Sequence, residues 1–147
     1  MADNATLARR LYEAFNERNF DELAEAMAAD GQITVAGTGD TFQGPDGALQ
    51  YNKMWADGFP DASITIDCII SSDDCVVVEF TGRGTHTGTL VTSMGAIPAT
   101  GRSVTLHLCD VTEFSDGKVL SQHTYFDSGS LMAQLGLAAE QTATTKQ

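Results

Sequence analysis

The chain has 147 residues, of which 42% are hydrophobic, and this size and composition suit one domain with a single buried core. Its 20 acidic and 8 basic residues give a formal net charge of -12, which argues against nucleic acid or an anionic membrane as partner because both are negatively charged. No apolar run is long enough to span a membrane and the N-terminal sequence lacks the apolar core of a signal peptide, so we expect a cytoplasmic protein.

Two amphipathic helices are predicted at the start of the chain. Apolar residues recur at helical spacing from Asn4 to Ala29, with an interruption at residues 16–20, after which Asp21 is placed to cap the second helix. A short strand is predicted at about Gln32 to Ala36, where the pattern changes. The chain therefore begins with helices that have one apolar face each.

The remainder of the chain is predicted to be mostly β-structure. Pro45 starts a third helix that stops near Phe59. Apolar and polar residues then alternate over residues 62–70, 75–86, 103–114 and 118–127, which predicts four strands. In the first of these strands, one face is predicted to carry Ile64, Ile66, Cys68 and Ile70. Helices followed by successive strands indicate an α+β fold.

The last two strands are predicted to form a hairpin through the turn Asp116-Gly117. In the expected register, three cross-strand pairs lie on one face of the sheet: Asp110 opposite His123, Leu108 opposite Tyr125, and Leu106 opposite Asp127. This face therefore carries two leucines on the first strand and polar residues on the second. Such a mixture is typical of an apolar pocket with a few convergent polar groups. The other face of the sheet is the candidate for an oligomer interface, and we expect a homodimer.

The cysteines and histidines show no pattern that binds metal. The three cysteines are far apart and lack C-x-x-C spacing, so they are expected to be reduced. The three histidines lack the H-x-x-x-H and H-E-x-x-H spacings of zinc sites. No metal site is predicted.

An ordered series of motifs runs along nearly the whole chain: Phe59-Pro60-Asp61, Gly82 to Gly88, Ala96 to Arg102, Asp110 to Val119, Tyr125-Phe126-Asp127 and Gln134 to Gly136. This series resembles the SnoaL-like polyketide cyclases, and we expect residues 1–137 to form one such domain with a polar tail at 138–147. The resemblance implies the cone-shaped, barrel-like fold shared with nuclear transport factor 2, scytalone dehydratase and ketosteroid isomerase. In that fold, helices pack over a strongly curved, mixed but mainly antiparallel sheet that encloses a cavity.

The resemblance also implies a reaction, which is ring closure of a hydrophobic carbonyl compound by intramolecular aldol condensation, without metal or organic cofactor. An aldol closure needs a base and a group that stabilises negative charge on oxygen. Asp127 matches the family's general acid/base in position, and His123, held by Asp110, is the candidate hydrogen-bond donor. The remaining predicted substrate contacts are Tyr125, His86, Trp55, Tyr12, Phe15, Leu106 and Leu108.

Other interpretations of the same residues stay open. Asp127 stands before a predicted C-terminal helix at 131–135 and is equally placed to cap it. Asp110 and His123 are also consistent with a buried polar pair that has no chemical role. The alternative functions are a small-molecule-binding module without catalysis, or an isomerase, dehydratase or epoxide hydrolase of the same superfamily.

Overall fold

A computed structural model describes residues 3–137, and the predicted tail at 138–147 lies outside this part of the chain. Within the described residues the chain forms four helices and eight strands. In chain order they are α1 Asn4–Asn16, α2 Phe20–Glu25, β1 Met27–Val35, β2 Thr41–Gln43, α3 Gly44–Gly58, β3 Ser63–Ser72, β4 Cys75–Thr85, β5 Leu90–Thr92, β6 Gly95–Ile97, β7 Ser103–Ser115, β8 Lys118–Phe126 and α4 Ser128–Gln134.

Six strands form one mixed sheet in the order β2-β1-β8-β7-β4-β3, and the predicted α+β class is confirmed. The only parallel pair in this sheet is β1 with β8. The sheet is open, with β2 and β3 at its edges, so the expected barrel-like closure is absent from residues 3–137. Strands β5 and β6, which were not predicted, form a separate two-stranded hairpin.

The helices begin and end where local side-chain chemistry favours it. Asp3 caps α1 by accepting a hydrogen bond from the Thr6 backbone N–H at 2.8 Å. The cap of α2 is Asn19, two residues before the predicted Asp21. Between the two helices Arg18 has a φ of 62°, a left-handed conformation that turns the chain sharply.

A bulge in β3 reverses which side chains face the helices. The register with β4 shifts between Ile66 and Cys68. Ile66 and Ile69 therefore both pack against the core, while Ile70 is 59% exposed. The prediction that Cys68 and Ile70 share the inner face with Ile66 is wrong, because one inserted residue reverses the alternation of a strand.

A second bulge, in β8, changes the predicted hairpin. The turn at Asp116-Gly117 is confirmed, and both residues have the positive φ that a type I′ turn requires. Beyond it, however, Phe114 pairs with Val119 and the next register pair is Glu113 with Ser121, which leaves Leu120 as the extra residue.

The bulge moves β8 by one residue relative to β7. Asp110 pairs with Thr124, whereas His123 pairs with Val111. The predicted pairing of Asp110 with His123 is therefore wrong, and every β8 side chain beyond the bulge lies on the face opposite to the predicted one.

Candidate functional site

A cavity of about 120 Å³ lies between the first three helices and the inner face of the six-stranded sheet. Its wall is mainly apolar. The sequence-predicted substrate contacts that line it are Tyr12, Phe15, Trp55, Leu106 and Leu108. An apolar pocket of this kind strengthens any electrostatic interaction made inside it.

Four polar residues form a patch on the inner face of the sheet, which we call the polar quartet: Asp110, Thr112, Gln122 and Thr124. They belong to two neighbouring pairs in the β7–β8 register, Asp110 with Thr124 and Thr112 with Gln122. Three of them, Asp110, Thr112 and Thr124, are buried. The Gln122 amide nitrogen donates to the Thr124 hydroxyl at 3.0 Å, which joins the two pairs.

Apolar residues surround the polar quartet on both neighbouring strands. On β4, Val78 pairs with Asp110 and Val76 pairs with Thr112. On β1, Ile33 pairs with Gln122 and Val35 pairs with Thr124. All four of these residues are buried. The quartet is therefore a polar patch inside an apolar sheet face, which is unfavourable unless its groups are paired or serve a ligand.

Asp110 is the only carboxylate on the cavity wall among the described residues. The Tyr12 hydroxyl, which comes from α1, donates a 2.6 Å hydrogen bond to Asp110 Oδ2. The second carboxylate oxygen, Oδ1, is buried and has no hydrogen-bond partner within residues 3–137. One oxygen is thus held by the protein, and the other has no hydrogen-bond partner there.

The surroundings of Asp110 change the pKa values of both partners. Burial raises the pKa of Asp110 to about 6, although the hydrogen bond from Tyr12 and, after it, the nearby Thr124 hydroxyl lower it in part. Burial raises the pKa of Tyr12 well above its ordinary value, and the negative charge of Asp110 raises it further. Near neutral pH Tyr12 therefore stays a donor, and Asp110 is a carboxylate whose pKa suits it to accept and return a proton.

Tyr51 is a second buried tyrosine on the cavity wall, and the sequence analysis missed it. Burial raises the pKa of its hydroxyl, and the negative charge of Asp110 raises that pKa further. Its position was detectable, because Tyr51 lies four residues before Trp55 and therefore on the same face of α3. Gln122 and Thr124 were not detectable, since their inward orientation depends on the bulge.

Two predicted site residues, His123 and Tyr125, do not face the cavity. Both follow the bulge in β8 and lie on the outer face of the sheet, where His123 is exposed and Tyr125 is 48% exposed. The expected position of His123 beside Asp110 is therefore wrong.

Asp127, the predicted general acid/base, lies at the surface. It is exposed, and its side chain caps α4 by accepting a hydrogen bond from the Ser130 backbone N–H at 3.1 Å. This is the capping arrangement that the sequence left open as an alternative. Asp127 is not among the residues that line the cavity.

His86 is fully buried but is also absent from the cavity wall. Its Nδ1 accepts a hydrogen bond from the Thr100 backbone N–H at 3.2 Å, so the ring proton belongs on Nε2. Its ring packs 5.3 Å from that of Phe59, centroid to centroid. In this position His86 holds the loop after β4 and supports Phe59, which does line the cavity.

The described residues do not group metal-binding side chains. Over residues 3–137, no three His, Cys, Asp or Glu side chains are close enough together to hold a metal ion. The same part of the chain has no helix with the length and apolar character that crossing a bilayer requires.

The sequence also matches a known protein family. The family model described as SnoaL-like polyketide cyclase matches residues 5–135. No curated protein matches the sequence.

Solved structures show the same fold. A candidate SnoaL-like polyketide cyclase from Jannaschia sp. CCS1 has a TM-score of 0.80 at 19% identity, with 90% of each chain covered. IdmH, a candidate polyketide cyclase from Streptomyces antibioticus, has a TM-score of 0.74 at 29% identity, covering 91% of this chain and 99% of its own. A Catenulispora acidiphila protein with a ketosteroid isomerase-like fold has a TM-score of 0.75 at 19% identity, covering 91% and 95%.

Proposed function

The chain belongs to the SnoaL-like polyketide cyclase family, and from that premise we propose that it closes a ring in a hydrophobic carbonyl compound with Asp110 as general acid/base. The observation that carries the proposal is the unpaired Oδ1 of a buried carboxylate on an apolar cavity wall. An unpaired buried carboxylate oxygen is costly, and a substrate C–H or O–H that approaches it would remove that cost.

The proposed reaction begins with proton transfer. Asp110 Oδ1 removes a proton from the carbon next to a substrate carbonyl, and the electron pair of that C–H bond moves to give an enolate. Tyr12 remains hydrogen-bonded to Oδ2 and holds the carboxylate in position.

Ring closure then follows within the same molecule. The enolate carbon attacks a second carbonyl carbon, a carbon–carbon bond forms, and the second carbonyl oxygen becomes an alkoxide. Asp110 returns its proton to that alkoxide, so the carboxylate is regenerated and no external acid or base is used up. The chemistry requires neither a metal nor an organic cofactor, because one carboxyl group carries the proton in both steps.

Ketosteroid isomerase offers a precedent for the parts of this site. It combines a carboxylate base with an oxyanion site made of a tyrosine and a carboxylic acid in an apolar cavity. Here one carboxyl group and Tyr12 are in direct contact instead, so Asp110 is assigned the proton transfer and Tyr12 the positioning of that carboxyl group.

The proposal is tested by proton exchange, which needs no knowledge of the natural substrate. The protein is incubated in D₂O with 2-tetralone, a flat ketone with two fused rings, and loss of the protons next to the carbonyl is followed by NMR. We expect the wild-type protein to accelerate exchange and Asp110→Asn to lose this acceleration by about 10² to 10⁴-fold, the usual contribution of a positioned general base.

Asp127→Asn is the matched control, since it makes the same chemical change at the residue that the sequence favoured as base. Retained exchange in this variant, together with loss in Asp110→Asn, supports the proposal. Loss of exchange only in Asp127→Asn contradicts it. If 2-tetralone binds without any accelerated exchange, the protein is instead a small-molecule-binding module of the same fold.

A further inference from the structure

The polar quartet continues beyond Asp110 into a second hydrogen-bonding position on the cavity wall. Thr112 lies two residues after Asp110 on β7, and its register partner on β8 is Gln122. Both residues line the cavity. The proposed proton transfer uses neither of them, so their position in an apolar surrounding needs another explanation.

Together the two side chains offer both a donor and an acceptor. The Gln122 amide nitrogen donates to Thr124, which leaves the amide oxygen of Gln122 as an acceptor. The Thr112 hydroxyl both donates and accepts. A substrate hydroxyl or carbonyl oxygen at this position would therefore find a partner, whereas an apolar substituent would leave these groups without one.

The spacing between the two positions is fixed by the strand. Residues two apart on one strand point to the same face and are separated by about 7 Å along it. Asp110 and Thr112 are such a pair, and both are buried on the inner face. A flat ligand that uses both positions must carry two oxygens at a comparable separation and directed toward the same edge.

We propose that Thr112 and Gln122 determine specificity by binding a second oxygen substituent of the substrate, about 7 Å from the oxygen or acidic C–H that meets Asp110. The substrate class is therefore a fused-ring compound with two oxygens on one long edge. The inference rests on the proposed function in one respect, since Asp110 is the first of the two anchoring positions.

Two isomeric probes test the geometry without any reaction. 2,7-Dihydroxynaphthalene directs its two hydroxyls toward one long edge, whereas 2,6-dihydroxynaphthalene directs them toward opposite edges. The two compounds have the same size, apolar area and number of hydroxyls. By isothermal titration calorimetry we expect the wild-type protein to bind the 2,7 isomer about tenfold more tightly, the effect of one additional satisfied hydrogen-bonding position.

Variants locate the source of this preference. Thr112→Val and Gln122→Met, each nearly isosteric, are expected to reduce the tenfold preference to about twofold or less. Thr105→Val is the matched control, because it makes the same change on the exposed face of β7 and should keep the preference. Circular dichroism melting checks that each variant is folded, and Gln122→Met alone is sufficient should Thr112→Val fail to fold.

The possible outcomes separate this inference from the proposed function. Equal binding of the two isomers, no binding of either, or a preference that survives in both quartet variants contradicts the specificity role. Asp110→Asn in the exchange assay tests the proton transfer independently. Loss of exchange in Asp110→Asn without an isomer preference overturns only the specificity role, and an isomer preference with unchanged exchange overturns only the base.

Discussion

Asp110 combines three properties that rarely occur together in one side chain. It is 4% exposed, one of its oxygens is held by Tyr12, and the other has no partner among the described residues. Each property follows from its place on the inward-facing side of β7, opposite α1. Stability and function conflict at such a position, because the arrangement that makes the carboxylate reactive also disfavours its charge in the folded state.

The pH dependence of stability should reveal that conflict. Burial raises the pKa of Asp110 from 3.8 to about 6, so between these values the folded state binds more protons than the unfolded state. The free energy of unfolding therefore falls as pH rises through this window, by roughly 3 kcal/mol for a shift of about two units. Asp110→Asn has no such titration.

We accordingly expect Asp110→Asn to gain stability over the wild-type protein as pH rises. The gain should be close to zero near pH 4 and reach roughly 1–3 kcal/mol near pH 7, measured by urea denaturation across this range. Other titrating groups are common to both proteins, so they cancel in the difference. A difference that does not change with pH, or a wild-type protein that is more stable at neutral pH, would refute the assignment.

Among the secondary-structure elements, the hairpin of β7 and β8 shows how far the sequence determines the site. The alternation in β7 correctly predicted that Leu106, Leu108 and Asp110 share one face, and the Asp116-Gly117 turn was correctly placed. These features depend on residues that are neighbours along the chain.

What the sequence did not show is the bulge at Leu120, and the same applies to the bulge in β3. Neither is marked by a glycine or a proline, and each depends on how two strands pack together over the core. Because a shift of one residue exchanges the two faces, a single missed bulge moved His123 to the outer surface and brought Gln122 and Thr124 inward. The fold was therefore predictable, whereas one wall of the site was not.

The role of Asp127 as a cap for α4 yields a prediction about stability. Asp127→Ala removes the hydrogen bond to the Ser130 N–H and should lower the free energy of unfolding by about 1 kcal/mol. Asp127→Asn keeps a good capping residue and should change it by only a few tenths of a kcal/mol. Thermal and urea denaturation measure both. Equal losses in the two variants would show that the charge of Asp127, and not its cap, stabilises the protein.

For the molecule as a whole, the outer face of the sheet carries a row of mostly aliphatic side chains that the fold does not bury. Ile70, Val77, Val111 and His123 are successive register partners across β3, β4, β7 and β8, and Ile70 is 59% exposed. Three of the four are aliphatic. The chain has a net charge of -12, so two copies repel each other wherever their acidic surfaces meet. This mostly aliphatic row carries no acidic residue, and it is therefore the surface through which two copies can associate.

We therefore propose a homodimer formed through this outer face. Size-exclusion chromatography with light scattering should give twice the chain mass for the wild-type protein and a shift toward monomer for Val111→Glu, which places a charge in the middle of the row. Met94→Glu is the control, because Met94 is 89% exposed on the β5–β6 hairpin and lies outside the row. A monomeric wild-type protein, or equal dissociation by both variants, would contradict the proposed interface.

The pH dependence of proton exchange tests the central role of Asp110 most directly. The exchange rate of 2-tetralone is measured from pH 4 to pH 8 with the wild-type protein and with Asp110→Asn. A base must be ionised to accept a proton, so the wild-type rate should rise with pH and level off above an apparent pKa of about 6, and this rise should be missing in the variant. A wild-type rate that is independent of pH, or the same rise in Asp110→Asn, would show that another group carries the proton.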